Sequence, residues 1–314
     1  VLVAAAGLVG TTERAAWAST VPGEEAGAPA PPVEALVALG LERSPSVAAV
    51  EHALAAAREM VSPAGALPDP MIELMLQNAG LTDYTVGSME MSMIGPELRQ
   101  SLPYPGKREA RREVARAEVV VRAGELEQLR RRLAAEIRSL YARVFALDRE
   151  RAELRSAREL LDLLVETAAA RYGVGETEQE AMVKAMLEVS RLAERVDDLD
   201  AERAATVANL NRLLDQPGSA ALGEVRSLPP VEAPPLPWEG AALETSAEVA
   251  VARSAVAAAE KRIEVARLDL RPDFSTGAGV GLRGDLDPVL TLRFGVEWPL
   301  WRRNKQEPLV RAAE

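Results

Sequence analysis

The chain's single histidine, His52, stands between Glu51 and Ala53-Leu54 in a segment whose apolar residues recur at helical spacing. A catalytic imidazole needs a nucleophile or carboxylate placed for proton transfer. No such set accompanies His52, which reads as a surface or packing residue. None of the 314 residues is cysteine, so a disulfide, a thiolate zinc site, a cysteine nucleophile and a lipidated N-terminal cysteine are all excluded. Met71, Met75, Met89, Met91 and Met93 are soft thioethers of the kind that hold Cu(I). The last three alternate with polar residues, though, and packing of one strand face explains them. No catalytic residue, metal site or cofactor is expected. What remains is a basic corner, QSLPYPGKREARRE over Gln100–Glu113, with a looser copy, EWPLWRRNKQE, over Glu297–Glu307. A corner that occurs twice is architectural.

The composition sets the frame for that architecture. Hydrophobic residues make up 48% of the chain and aromatic residues 4%, with Ala, Leu, Val, Glu and Arg dominant, as in long helices. The formal charge of −11 argues against nucleic acid, because phosphate binding needs a clustered basic surplus. The start, VLVAAAGLVG, followed by Ala16-Trp17-Ala18, resembles a signal peptide lacking its basic region, over residues 1–20. Residues 21–32 read as a flexible leader. No run of about 20 apolar residues exists, so a membrane could be crossed only with strands.

From Pro45 to Ser62, Val47, Val50, Leu54 and Ala57 mark a helix ended by Pro63 and Gly65. Extended segments follow at Met71–Asn78 and Val86–Leu102. A long helix is then expected over Pro105–Tyr172, with Leu126, Leu129, Leu133, Ile137, Leu140, Val144 and Leu147 forming a coiled-coil seam. Gly173-Val174-Gly175 turns it back into a second helix over Glu176–Leu214, striped by Met182, Met186, Val189, Val196, Leu199, Leu210 and Leu213. At 1.5 Å per residue the long helix spans about 100 Å. The helices over 45–62 and 176–214, stacked end to end, reach about 85 Å beside it. Asp215–Pro237 is proline-rich, and residues 215–240 read as a linker.

Beyond it the pattern returns. Ser246-Ala247-Glu248-Val249 matches Ser44-Pro45-Ser46-Val47, Pro272-Asp273 matches Pro68-Asp69, and Pro299 matches Pro103. One helix-strand-strand-helix unit thus occurs twice, over 33–214 and, incompletely, over 241–314. The second copy is expected to stop about 90 residues short of its own helical hairpin. The strands alternate: Met89, Met91 and Met93 against Ser88, Glu90 and Ser92; Leu290, Leu292, Phe294, Val296 and Trp298 against Arg293 and Glu297; Phe274 to Leu282 against Ser275 to Arg283. Such order suits a sheet that is apolar outside and wet inside, and equally a soluble sheet packed on helices.

The repeated plan, the two Pro-Asp pairs before strands, Gln100 with PYPGK, RYGVGET after the long helix, and ANLNRLL at Ala208–Leu214 together resemble the TolC family of outer-membrane efflux proteins. Pro-Tyr-Pro-Gly-Lys is similar to its heavy-metal branch of CzcC- and CusC-like channels. The resemblance implies a mostly α fold with membrane β, in which long helical hairpins continue a trimeric 12-stranded barrel of four strands per protomer. It further implies a passive duct in the outer membrane of a Gram-negative bacterium, with helices in the periplasm. Expected partners are two more copies, a periplasmic adaptor, an inner-membrane efflux transporter and outer-membrane lipid. The adaptor docks at a tip formed by Arg171, Tyr172, Gly173, Val174, Gly175, Glu176 and Thr177. Ser88, Glu90, Ser92, Arg293 and Glu297 face the lumen, while Met91, Leu292 and Phe294 face lipid. At the strand-helix corner Pro103 and Pro105 end ladder pairing, Pro105 takes the first helical position, and Gly106 and Lys107 follow. Lys107, Arg108, Arg111, Arg112 and Arg116 oppose the helix dipole, so a partner is expected, either lipid headgroups or intersubunit carboxylates. A soluble periplasmic coiled-coil adaptor is the alternative that the helices alone permit.

Overall fold

The computed structural model describes residues 29–80, 84–174, 179–230 and 238–314. The signal-like segment, the leader through residue 28, and Gly175, Glu176 and Thr177 of the expected tip lie outside them. The chain forms two compact units. One comprises residues through Ser44 and Arg131–Ala233, the other Pro45–Arg130 and Pro234–Glu314.

The first unit is helical. α1 (Val33–Arg43) packs with the later part of α4 (Lys107–Gly173) and with α5 (Gln179–Leu213). The expected seam is its core: Leu133, Ile137, Val144 and Leu147 are buried, with Leu199, Leu210 and Leu213 from α5 and Val33, Leu36 and Val37 from α1. Burying such side chains removes them from water at roughly 25 cal/mol per Å². Gly40 of α1 faces Ile137 and Leu214 so closely that a Cβ there would lie 2.6 Å from Ile137 Cδ1. Met186, expected in the α5 stripe, is exposed instead, because the inward positions step through Met182, Ala185 and Val189. Ion pairs Arg195–Glu150 (2.7 Å), Arg151–Asp200 (2.6 Å), Arg212–Glu136 (3.6 Å) and Arg143–Glu202 lace α4 to α5, running antiparallel.

Residues 215–230 after α5 have no regular structure but are anchored. Buried Asp148 accepts hydrogen bonds from Arg203 Nε (2.6 Å) and from the backbone N–H of Val225 (3.0 Å). Arg203 Nη2 also donates to the carbonyls of Leu222 and Gly223. Asn211 Nδ2 donates to Gly218 and Ala220, and Ala30 N–H to the Glu224 carbonyl. Buried carbonyls and N–H groups outside helix or sheet need such partners.

The second unit holds the sheet. The helix expected over 45–62 is broken into α2 (Pro45–Glu59) and the short turn α3 (Val61–Ala64), since Pro63 has no N–H to offer the Glu59 carbonyl. β1 (Met71–Gln77), β2 (Met93–Leu102), β3 (Asp273–Arg283) and β4 (Leu286–Glu297) form one antiparallel sheet in chain order. α6 (Trp238–Thr245) and α7 (Ala247–Leu268) precede β3, with Ser246 Oγ accepting from Val249 N–H at the start of α7. α8 (Gln306–Ala313) follows β4. Among the described residues no helix is long and apolar enough to cross a membrane.

β2 starts at Met93, later than the alternation suggests. Residues 86–91 form turns and bridges: Gly87 has φ +94°, Ser88 Oγ donates to Thr85 O, and Thr85 Oγ1 and Ser92 Oγ both donate to Asn78 O. Hydroxyl side chains that bond the local backbone compete with strand pairing. Ser88, Glu90 and Ser92, expected as strand residues, therefore lie before β2, and Met89 and Met91 do not share a strand face with Met93.

Candidate functional site: a two-faced sheet and its strand-helix corner

The register sorts the sheet into two chemically distinct sides. Ile72 pairs with Leu98, Leu98 with Ala278, and Ala278 with Leu292; Leu76 pairs with Ile94, and Ile94 with Leu282. With Leu74, Phe274, Val280, Leu290, Phe294 and Val296 they make one side apolar but for the Gln100–Thr276 pair near its corner end, and largely exposed, Phe294 at 83%. An exposed apolar surface of this extent marks a place where something other than water is met.

The opposite side is polar. Glu73 pairs with Glu97 across β1 and β2, and Gly277 with Arg293 across β3 and β4. Arg99 Nη2 lies 3.1 Å from Glu73 and 3.8 Å from Glu97, while Arg293 Nε lies 2.9 Å from Glu97 Oε1. Glu97 is only 3% exposed, so its charge depends on these two guanidiniums. Gly277 and Gly279 make its room: a Cβ on Gly279 would sit 3.2 Å from Glu97 Cβ. Arg293 and Glu297 thus share the polar side, as their spacing implies. Glu73, Glu97 and Arg99 escaped sequence reading, because their charges meet Arg293 only through the pairing of distant strands.

At the corner the structure corrects two expectations. Pro105 is not the first helical residue: Gly106 has φ +95°, which favours glycine, and α4 begins at Lys107. Nor does Lys107 reach toward headgroups. It is buried, its Nζ 2.8 Å from Asp273 Oδ1, 3.7 Å from Asp269 and 3.0 Å from the Arg271 carbonyl, while the N–H of Tyr104 donates to the same Asp273 at 2.7 Å. Arg111 lies 3.6 Å from Asp269, Arg112 pairs with Glu109, Arg116 with Glu113, and Arg108 Nε donates to Gly65 O. Carboxylates and carbonyls of the same chain offset the helix dipole's dislike of these cations.

The hairpin end is simpler. Arg171, Tyr172 and Gly173 form the last turn of α4, and Val174 follows it, exposed. Apart from its chain neighbours and the backbone of its own helix, no atom of the described residues lies within 4 Å of where a Gly173 Cβ would point. Elsewhere in the helical unit, the Arg138 guanidinium holds the Glu34 carboxyl below its ordinary range, and burial pushes the Tyr141 phenol up. Among the described residues no three His, Cys, Asp or Glu side chains cluster as a metal site.

A family model described as outer membrane efflux protein matches residues 36–216, more than half the chain. The chain belongs to that family. No curated protein sequence matches significantly. Among solved structures, the fold of this efflux protein is similar to the outer membrane protein VceC of Vibrio cholerae, with TM-score 0.71 and 17% identity over 90% of this chain and 71% of that one. It is also similar to the outer-membrane channel OprN, with TM-score 0.72 and 18% identity over 90% and 67%. CusC, described through its folding and transmembrane channel formation, gives TM-score 0.70 and 14% identity over 93% and 73%. The mostly helical chain with one four-stranded antiparallel sheet is the fold of these efflux proteins.

Proposed function

We propose that the protein is the outer-membrane channel of a tripartite efflux pump, a passive duct for metal ions or small toxic compounds and not an enzyme. The observation that supports this most is the sheet: one side apolar apart from Gln100 and Thr276, the other lined by Glu73, Glu97, Arg99 and Arg293, with β1 and β4 left as open edges. Four strands do not close a barrel, so in this reading three copies close twelve, apolar side to lipid and charged side to the lumen. The helices lie in the periplasm. In this reading an inner-membrane transporter drives the flow and a periplasmic adaptor joins it to the duct.

Planar-bilayer recording of the purified protein tests the channel. Stepwise conductance is expected, with ion selectivity that shifts toward cations in Arg293→Glu. Absence of conductance under conditions where the protein inserts would refute the duct.

Adaptor docking is proposed at the end of α4 and the residues that follow it in sequence, Arg171–Thr177. Because open space surrounds Gly173, Gly173→Asp changes the surface and leaves the fold. It is expected to lower adaptor crosslinking at least severalfold with unchanged thermal stability, and equal crosslinking would remove docking from this tip.

A further inference from the structure

The contact between the two repeats inside one chain supplies a template for the contact between copies. β2 pairs with β3 so that Leu102 faces Phe274, Gln100 faces Thr276 and Leu98 faces Ala278, and Lys107 just beyond β2 reaches Asp273 at the start of β3. β2 corresponds to β4 by the Pro103–Pro299 match, and β3 to β1 by the match of Pro272-Asp273 to Pro68-Asp69. Moving the observed register by those two offsets lays β4 against β1. Val296 then faces Ile72, Phe294 faces Leu74 and Leu292 faces Leu76, all on the apolar side. Glu297 faces Met71, Gly295 faces Glu73, Arg293 faces Met75 and Thr291 faces Gln77 on the polar side.

Nothing in the transfer forces the two sides to agree, since a shift of one residue would set every apolar side chain of β4 against the polar side of β1. They agree at every pair. β1 and β4 are the two edges of the sheet, so within one chain this pairing has no partner. The same offsets turn Lys107 into Arg303 and Asp273 into Asp69. Both are exposed, and among the described residues neither makes an ion pair. Their counterparts, the buried Lys107 and the half-buried Asp273, lie 2.8 Å apart.

We propose that β4 of one copy pairs antiparallel with β1 of the next in this register, and that Arg303 of the first closes on Asp69 of the second. The polar side then gains Gly295 opposite Glu73 and Arg293 opposite Met75, so the charged lining continues unbroken from copy to copy. Each corner is closed in the same way, one inside the chain and one between chains. The inference rests on the reading that several copies close one barrel, and it names the residues that would do so.

The absence of native cysteine makes the test clean. In the full chain expressed in a Gram-negative outer membrane, Thr291→Cys with Gln77→Cys is expected to oxidise into covalent dimers and trimers on non-reducing gels. A disulfide needs Cα atoms about 4.4–6.8 Å apart. Thr291→Cys with Glu73→Cys, displaced by four residues or about 13 Å, is expected to stay monomeric. Asp69→Arg or Arg303→Asp alone should lower the first crosslink roughly two- to fivefold, and the two together should restore it. Crosslinking in the displaced pair, or none in the first, overturns the register. Single charge variants that crosslink as well as the parent, or a double variant that fails to recover, overturn the ion pair. Conducting pores without the Thr291–Gln77 crosslink would sink this interface and leave the channel, whereas crosslinked copies without conductance would do the reverse.

Discussion

A lysine in the first turn of a helix faces the positive end of the dipole, and Lys107 survives there because Asp273 and Asp269 surround its ammonium. Breaking a fully buried pair costs about 3–5 kcal/mol. Here the two acids keep some contact with water, so Lys107→Met is expected to cost about 2–3 kcal/mol, read as a lowered midpoint in thermal or denaturant unfolding. Lys107→Arg, which keeps the charge, should recover part of it. The basic run was legible in the sequence, but its partners were not, since Asp273 lies 166 residues further along the chain. On the sheet, Phe294 and Thr291 differ by one side of one strand. Phe294→Arg is expected to cost about 2–4 kcal/mol of membrane insertion and Thr291→Arg little, measured as the fraction recovered in the outer membrane. Equal recovery of both variants would contradict the assignment of sides.

At the scale of elements, periodicity identified what is long and regular. In the seam Leu126, Leu133, Ile137, Val144 and Leu147 are buried and Leu129 and Leu140 half-buried, and α4 and α5 lie within a few residues of their expected ends. The sequence was silent where local hydrogen bonding competes with pattern. Residues 84–92 alternate like a strand, yet Thr85, Ser88 and Ser92 bond the backbone and hold it in turns. Residues 215–230 look like a linker in composition, yet Asp148, Arg203 and Asn211 grip them from α4 and α5. α1 went unseen as a separate helix, though it brings Glu34 to Arg138 and the Pro31 carbonyl to the Tyr141 hydroxyl.

Those two contacts set opposite limits in pH. Glu34 has a lowered carboxyl pKa, so its contribution is present above the unfolded value and fades as pH falls through the folded one. Tyr141 has a raised phenol pKa, so its contribution is intact below the ordinary value of 10.0 and is lost as pH rises above it. A plot of unfolding midpoint against pH should therefore fall at both ends. Glu34→Gln is expected to flatten the acid limb, and Tyr141→Phe the alkaline limb at a cost of about 1 kcal/mol for the lost hydrogen bond. An alkaline limb unchanged in Tyr141→Phe would assign it to other groups.

For the whole molecule, everything functional turns on whether the sheet's two sides meet two solvents. The apolar side is continuous across all four strands, and the charged side is neutralised within itself by Arg99 and Arg293. A soluble sheet would bury the first side under helices, yet Leu290, Leu292, Phe294 and Val296 are all exposed. The most direct measurement is spin-label accessibility along β4 of the protein in lipid bilayers, with single cysteines placed in turn from Leu290 to Glu297. Collision with oxygen should be high at 290, 292, 294 and 296 and low between them, and collision with a water-soluble nickel chelate should follow the opposite alternation. High chelate accessibility at the even positions, or no alternation at all, would mean that this sheet does not line a membrane channel.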